Sequence, residues 1–423
     1  MKRQLMLAAC AFGGGVLVAE AAGALPHAST YAKLGVFARV LAYIENNYVE
    51  DVDRDKLLYG AVNGMVATLD PHTTFMPPDR YRALKEDTDG SYAGIGLETE
   101  RRGAQLMVVA PIDGTPAAKA GIHAGDRIAS IDDIPTAGMD YGEALQRMRG
   151  AKGTKVRLLV ERTGWTAPRE FTLTRELIHV VAVEGRLLSP GLGYVRVKTF
   201  QEHTDKALDE ALDRLTDKAH GGLKGLVLDL RNNPGGLLDQ AVRVADLFLD
   251  KGLIVRTRGK GGRLLEEEHA RPRGTRSGFP MVVLVDGGTA SASEIVAGAL
   301  QDHRRAVIMG TQTFGKGSVQ TIIELDDGSA LKLTVARYYT PSGRSIQESG
   351  IRPDLLVEPR DPSRAAASDR QREKDLERHL GPEPSGANRG GSAPAIGDDM
   401  QLQTAYEYLK SLDVLRASST TGG

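Results

Sequence analysis

Two stretches of this chain follow the same local pattern, and it narrows the fold more than any other feature. Leu226-Val227-Leu228-Asp229-Leu230 runs into Arg231-Asn232-Asn233-Pro234-Gly235-Gly236, and helical spacing follows from Leu237 to Leu249. Met281-Val282-Val283-Leu284-Val285 runs into Asp286-Gly287-Gly288, and helical spacing follows from Ile295 to Leu300. A short apolar run reads as a buried strand, and glycine lets the chain turn sharply behind it. Strand–turn–helix units with further strands after them imply a mostly parallel sheet with helices packed on it, an α/β core. Gly193 to Val197 reads as another strand, Asp205 to Leu215 as a helix, and residues 321–325 and 330–336 as a hairpin across Asp326-Asp327-Gly328.

The second unit delivers Ser291 to the tip of a strand–turn–helix, where a nucleophile can be exposed. Ser291-x-x-Glu294 is also a capping box, which would give the serine a purely structural task. The glycines before it favour exposure, and a helix N-terminus stabilises negative charge beside the oxygen. A later apolar run, Ala306 to Met309, leads to Thr313-Phe314-Gly315-Lys316-Gly317. Gly310-x-x-x-x-Gly315-Lys316 imitates a phosphate-binding loop, but Gly317 stands where Ser or Thr should hold magnesium, and a strand rather than a helix follows. A Ser/Lys dyad needs a neutral lysine, which costs about 4–5 kcal/mol at pH 7 from an unperturbed pKa of about 10.4. Apolar walls such as Phe314 lower that cost, and Gln320 could aim the amine without adding charge. His303, at a polar helix end, is the rival base.

The 423 residues suffice for two or three domains, and a formal net charge of −1 gives no support for a nucleic-acid binder. Cys10 is the only cysteine, so neither an internal disulfide nor a cysteine metal site is available. Residues 1–24 have the form of a targeting segment, with Lys2 and Arg3 before an apolar stretch and small-x-small sites at Ala19-Glu20-Ala21 and Ala22-Gly23-Ala24. Export to a periplasm or cell envelope is expected, with retention as a membrane anchor, or lipidation at Leu7-Ala8-Ala9-Cys10, as alternatives. The spacing predicts amphipathic helices over 31–46 and 55–69, closed by Asp70-Pro71-His72. With no strand between them, they suit an accessory or dimerisation arm, and His72 reads as a structural loop residue.

Between 92 and 175 the texture changes to short strands and glycine turns. Ala93-Gly94-Ile95-Gly96-Leu97, then Pro116-Ala117-Ala118-Lys119-Ala120-Gly121-Ile122, then Gly125-Asp126-Arg127-Ile128 and a helix around 141–148 together resemble a PDZ domain. Backbone N–H groups at Gly94, Ile95, Gly96 and Leu97 could cradle a terminal carboxylate while the peptide adds as a strand. Arg149 is either a solvated charge or a reporter of peptide occupancy to the neighbouring domain. Residues 360–398 are rich in Ala, Ser, Pro, Gly and charge, and read as a disordered linker; residues 400–415 regain an apolar face that needs a partner surface.

Residues 31–360 resemble the carboxy-terminal processing peptidases, tail-specific serine proteases of bacterial envelopes and plastids. The matching pieces are LDPHTTFM (69–76), YAGIGLE (92–98), the PDZ stretch, LDLRNNPGG (228–236), GGTASASEI (287–295) and GTQTFGKGSVQT (310–321). The resemblance implies Ser291 as nucleophile, Lys316 as general base and Gln320 as its orienting residue. It implies an oxyanion hole from backbone N–H groups near Gly235-Gly236 and at Ala292. It also implies a crotonase-type protease core with an inserted PDZ domain. Thr73 stands where the family's familiar motif has serine.

The organisation expected is thus a targeting segment over 1–24, a helical region over 25–90, a PDZ domain over 91–176, a protease core over 177–360, a linker over 361–398 and a helix over 399–416. The activity expected is that of a serine endopeptidase that captures free C-terminal tails, uses no metal or cofactor, and pairs through its helical arms with an activator or a second copy. A catalytically silent PDZ adaptor is the alternative. A trypsin-like protease would need a Gly-x-Ser-Gly-Gly context and a placed histidine, which the chain lacks.

Overall fold

The computed structural model describes residues 27–359, 372–375 and 399–420, so the targeting segment and most of the linker lie outside the described residues. The chain divides into two units, residues 1–68 and 69–423. The first unit holds the helices His27–Asn47 and Arg54–Val66. Asp53 caps the second, its carboxylate accepting the Lys56 N–H at 3.1 Å. Leu34, Val36, Phe37, Val40 and Tyr43 are exposed, so the apolar side of the first helix is largely uncovered. No described helix is long and apolar enough to cross a membrane.

Within the helical region expected over 25–90, the two units divide after residue 68. Its second helix stops at Val66, and residues 74–89 supply a strand, Thr74–Met76, and a helix, Pro78–Asp89, to the second unit. Thr74 to Met76 pair antiparallel with Lys332 to Ala330. A three-residue strand carries too little periodicity to be read in advance, and its partner lies more than 250 residues away.

In the second unit, a six-stranded sheet runs Val183–Ser189, Leu192–Val197, Gly225–Asp229, Met281–Val285, Val307–Gly310, Leu355–Leu356. Only the first pairing is antiparallel. The helices Thr204–Lys218, Leu238–Asp246 and Ala292–Asp302 pack on one face through Leu208, Leu212, Val244, Ile295 and Val296. The C-terminal helix Met400–Thr420 covers the other, where Leu402, Ala405 and Leu409 meet Tyr194, Val227, Val282 and Leu284. The partner surface that this helix needs is therefore its own sheet.

A second, antiparallel sheet places Ala330–Tyr339 at its centre, flanked by Thr74–Met76, Leu253–Gly259 and Ser318–Glu324. The PDZ-like region forms its own sheet, ordered Leu97–Arg102, Gln105–Pro111, Arg127–Ile131, Lys155–Glu161, Arg169–Thr174, around a core of Ile128, Leu158, Val160 and Ala117. The chain enters this region along Ser91–Gly94 and leaves along Glu176–His179, and these two strands pair with each other.

Candidate active site

Parallel strands end at the same edge of a sheet, which brings the turns after Gly225–Asp229 and Met281–Val285 side by side. Polar side chains then lace the two turns together. Asp286 Oδ1 accepts the Asn232 N–H and the Gly288 N–H, each at 2.9 Å. Thr289 Oγ1 donates to the Leu230 carbonyl at 2.8 Å, and Ser293 Oγ donates to the Asn233 carbonyl at 3.0 Å. A side chain on Gly235 would stand 2.9 Å from both Ser291 Cβ and Ala292 N, so glycine is what lets the two turns touch.

Ser291 sits at φ 54° and ψ −117°, immediately before the helix Ala292–Asp302. Positive φ in a residue with a side chain is a strained conformation, held here by the surrounding bonds. The strongest of these go to Glu294, which is fully buried. Glu294 Oε2 accepts the Ser291 N–H at 2.8 Å and the Lys316 N–H at 2.9 Å. Its Oε1 accepts the Gly315 N–H at 2.7 Å and the Thr313 hydroxyl at 2.6 Å. Burial pushes the Glu294 carboxyl up to about 7, against the pull of these four bonds. Of the capping box seen in the sequence, the half in which Glu294 receives the Ser291 N–H is formed, while the Glu294 N–H goes to the Ser291 carbonyl at 2.9 Å rather than to its hydroxyl. The glutamate also ties the serine turn to the lysine loop. A Ser-x-x-Glu pattern on a helix with no other polar residue from 294 to 300 was the available signal.

Lys316 is half-buried beside Phe314, whose N–H reaches the Thr289 carbonyl at 3.0 Å. The strand Ser318–Glu324 follows, as the argument against a phosphate loop requires. Gln320 Nε2 donates to Ser318 Oγ at 2.8 Å and to Thr334 Oγ1 at 3.3 Å, leaving its carbonyl oxygen for another donor. His303 caps the far end of the helix that Ser291 begins, about 16 Å away for eleven residues. Its Nε2 meets the Leu253 carbonyl at 2.7 Å, so it is excluded as the base for Ser291.

One expected oxyanion donor is engaged elsewhere. The Gly235 N–H is donated to Asn233 Oδ1 at 2.9 Å. The N–H groups of Gly236 and Ala292 find no acceptor among the described residues, and these two remain as the candidate donors. The preference for Gly236 over Gly235 depends on where one asparagine side chain points, which the sequence does not encode locally.

His72 lies in the bend that follows the second helix, as a loop residue should. Asp70 Oδ1 accepts the His72 and Thr73 N–H groups, each at 2.8 Å, and the Thr334 hydroxyl at 3.1 Å. Thr334 is also the partner of Gln320, so this turn stands next to the orienting residue. Thr73 Oγ1 donates to Asp70 Oδ2 at 2.6 Å, a task that a serine could equally perform.

In the PDZ-like region, Gly94 ends its strand opposite Glu176, while Ile95 and Gly96 keep N–H groups without an acceptor among the described residues. Leu97 opens the strand Leu97–Arg102, which lies at the sheet edge. Arg149 lies 4.4 Å over the Tyr92 ring and reaches Asp87 Oδ1 at 3.0 Å, on the helix Pro78–Asp89 of the core.

Sequence comparison agrees with this architecture. The profile of peptidase family S41 matches residues 191–357, that of the PDZ domain matches 107–162, and that of the activating protease CtpB N-terminal domain matches 20–79. A carboxy-terminal-processing protease of Bartonella bacilliformis is 44% identical over 388 residues, 90% of this chain and 89% of that one. The carboxy-terminal processing protease CtpA of Bacillus subtilis is 40% identical over 319 residues, 74% of this chain and 67% of that one. The solved photosystem II D1 C-terminal processing protease is 36% identical and aligns over 78% of this chain and 90% of its own, with a TM-score of 0.48. With near-full-length identity of this order, a peptidase core and a PDZ domain inserted before it, the chain belongs to the carboxy-terminal processing peptidases of family S41.

Proposed function

We propose that this chain is an exported serine endopeptidase that takes protein C-terminal tails in its PDZ domain and cleaves them through a Ser291/Lys316 dyad. The observation that carries the reading is the shared oxygen of Glu294, which holds the Ser291 and Lys316 backbones within two hydrogen-bond lengths of each other. Neutral Lys316 takes the proton of Ser291 Oγ as that oxygen bonds to the scissile carbonyl carbon. The carbonyl oxygen becomes an anion facing the Gly236 and Ala292 N–H groups, donors of a kind typically worth about 2.7–4 kcal/mol each. The C–N bond then breaks, Lys316 gives its proton to the leaving amine, and the acyl group stays on Ser291. Water, deprotonated by Lys316, releases it. Gln320 holds the amine without adding charge.

The tail adds along the edge strand Leu97–Arg102, with its carboxylate at the N–H groups of Ile95 and Gly96. Occupancy passes to the core through Arg149 and Asp87. The uncovered apolar side of the first helix suits an activating protein or a second copy of the chain. Residues 1–24 direct the whole to the envelope.

The deciding experiment compares the mature protein with Ser291→Ala and Lys316→Ala on an unfolded substrate carrying an apolar tail, free or amidated, with fragments read by mass spectrometry. Cleavage by the parent alone, weaker on the amidated tail, is expected. Tail binding without cleavage by any variant, even with its activator present, would make the chain an adaptor.

A further inference from the structure

Gln320 meets Thr334 because of an irregularity in the ladder. Between the strands Ser318–Glu324 and Ala330–Tyr339, Val319 pairs with Ala336 and the next pair is Gln320 with Thr334, so Val335 is an extra residue. In an unbroken ladder Val335 would stand opposite Gln320, and the amide would have an apolar neighbour. A bulge of this kind re-aims side chains, and bulges are over-represented beside active sites. Here it brings a hydroxyl to the amide. Gln320 Nε2 lies 3.3 Å from Thr334 Oγ1 and 2.8 Å from Ser318 Oγ.

Which end of an amide faces a hydroxyl depends on where the hydroxyl proton goes. With one proton to give and two lone pairs, a hydroxyl serves the NH2 end or the carbonyl end equally well until that proton is committed. The proton of Thr334 is committed. Its Oγ1 donates to Asp70 Oδ1 at 3.1 Å, and a carboxylate only accepts. Burial works against the charge on Asp70, but the Thr73 hydroxyl and the His72 and Thr73 N–H groups hold its carboxyl below the ordinary range, so it stays ionised. The neighbouring Thr73 hydroxyl gives its own proton to Asp70 Oδ2 at 2.6 Å and accepts the Thr334 N–H at 3.2 Å, which leaves that arrangement undisturbed. Thr334 therefore faces Gln320 with lone pairs alone, and only the NH2 end can meet it. The Ser318 hydroxyl donates to no acceptor among the described residues, so it can serve either end and does not decide the matter.

We propose that Thr334 is a positioning residue of the dyad: bonded to Asp70, its hydroxyl fixes the Gln320 amide with the carbonyl oxygen as the end offered to the Lys316 amine. This rests on the Ser291/Lys316 reading with Gln320 as the orienting residue. The direction of the amide matters to the chemistry. A carbonyl oxygen accepts an N–H from the neutral amine, leaves the nitrogen lone pair for the Ser291 proton, and goes on accepting from the ammonium that results. A reversed amide would donate into that lone pair and oppose the ammonium.

The test uses the full mature chain with Thr334→Val, which keeps the side-chain shape and the bonds from Asp70 to the turn, and with Thr334→Ser, which returns the hydroxyl. Cleavage of the tail-bearing substrate is followed beside peptide titration. T334V is expected to lower kcat about tenfold, to leave tail affinity unchanged, and to move the acid limb of kcat/KM to lower pH, because the ammonium loses a fixed acceptor. T334S should recover most of the loss, and T334V should cost nothing further in a Gln320→Ala background. An undiminished kcat, an unmoved acid limb or a loss that recurs in Q320A would overturn the proposal. A second arm needs no catalysis. In S291A with isotope-labelled glutamine, the NH2 resonances of Gln320 are identified by their loss in Q320A. Each hydrogen is bonded to one hydroxyl in the proposed orientation, so T334V is expected to move one resonance and speed its exchange with water while the other keeps its place. A pair that T334V leaves unchanged would overturn the orientation. If the parent does not cleave, or Q320A cleaves as well as the parent, the dyad reading fails and the positioning role with it, while the resonance arm still tells whether the hydroxyl fixes the amide.

Discussion

Glu294 receives four donors on two oxygens, and each depends on the ionised carboxylate. A proton on either oxygen would face a donor rather than accept from it, loosening both the serine turn and the lysine loop. Burial raises this carboxyl to about 7, so cleavage should fall as pH drops through that region. Protonation of Lys316 acts in the same direction, so the parent's acid limb should be steeper than a single titration, and Glu294→Gln should reduce it to one. The amide offers one acceptor where two are used, and a loss of about 100-fold in kcat/KM is expected, about 3 kcal/mol of charge-assisted bonding. Stability should move the opposite way. The folded carboxyl holds its proton to higher pH than the unfolded one, so between its ordinary value of 4.5 and about 7 rising pH lowers folding stability. Denaturant melts at about pH 5 and about pH 8 should show that slope in the parent and not in E294Q. Ser291→Gly should abolish cleavage yet raise the melting midpoint, since glycine relieves a positive φ that costs about 1–3 kcal/mol. The proposal of Ser291, Lys316 and Gln320 comes from a motif in the sequence. The pull of Asn233 on the Gly235 N–H was not legible there, because a side-chain rotamer leaves no mark on spacing.

At the scale of the element, the C-terminal helix closes the back of the sheet. Arg231 joins the two, donating to Asp229 Oδ2 at 2.6 Å, Asp399 Oδ1 at 2.8 Å and Gln401 Oε1 at 2.9 Å. Burial works against the charge on Asp229, but the Arg231 guanidinium holds its carboxyl below the ordinary range. Arg231 opens the turn that continues to Gly236, so the helix start and the candidate oxyanion donor belong to one bonded path. Leu409→Ala should cost about 2–4 kcal/mol in denaturant unfolding, through the cavity left against the sheet. Asp399→Asn should lower kcat while leaving tail affinity unchanged, as measured by cleavage kinetics beside peptide titration. The apolar face through Leu402, Ala405 and Leu409 was readable from spacing. Its docking place was not, because strands such as Met281–Val285 are apolar on both sides and so do not announce which face awaits a helix.

At the scale of the molecule, Arg149 of the PDZ domain reaches Asp87 on the helix Pro78–Asp89 at 3.0 Å. The pair is partly exposed, so its coupling should be modest. Asp87→Asn should reduce the rate advantage of a free over an amidated tail by about fivefold at most, about 1 kcal/mol. The motif blocks made the domain content legible, and the two helices of the arm were readable from their spacing. The strand Thr74–Met76 was not, because three residues carry no periodicity. The ladder that joins Ser91–Gly94 to Glu176–His179 has a further consequence. Ser91 stands opposite His179, so the inserted domain begins and ends about 5 Å apart on a single ribbon. A module mounted in this way behaves as a cassette. Any small domain whose ends meet at that spacing could replace it without disturbing the register of the core, and the tail-reading part of such a peptidase can diverge in isolation from the part that cuts.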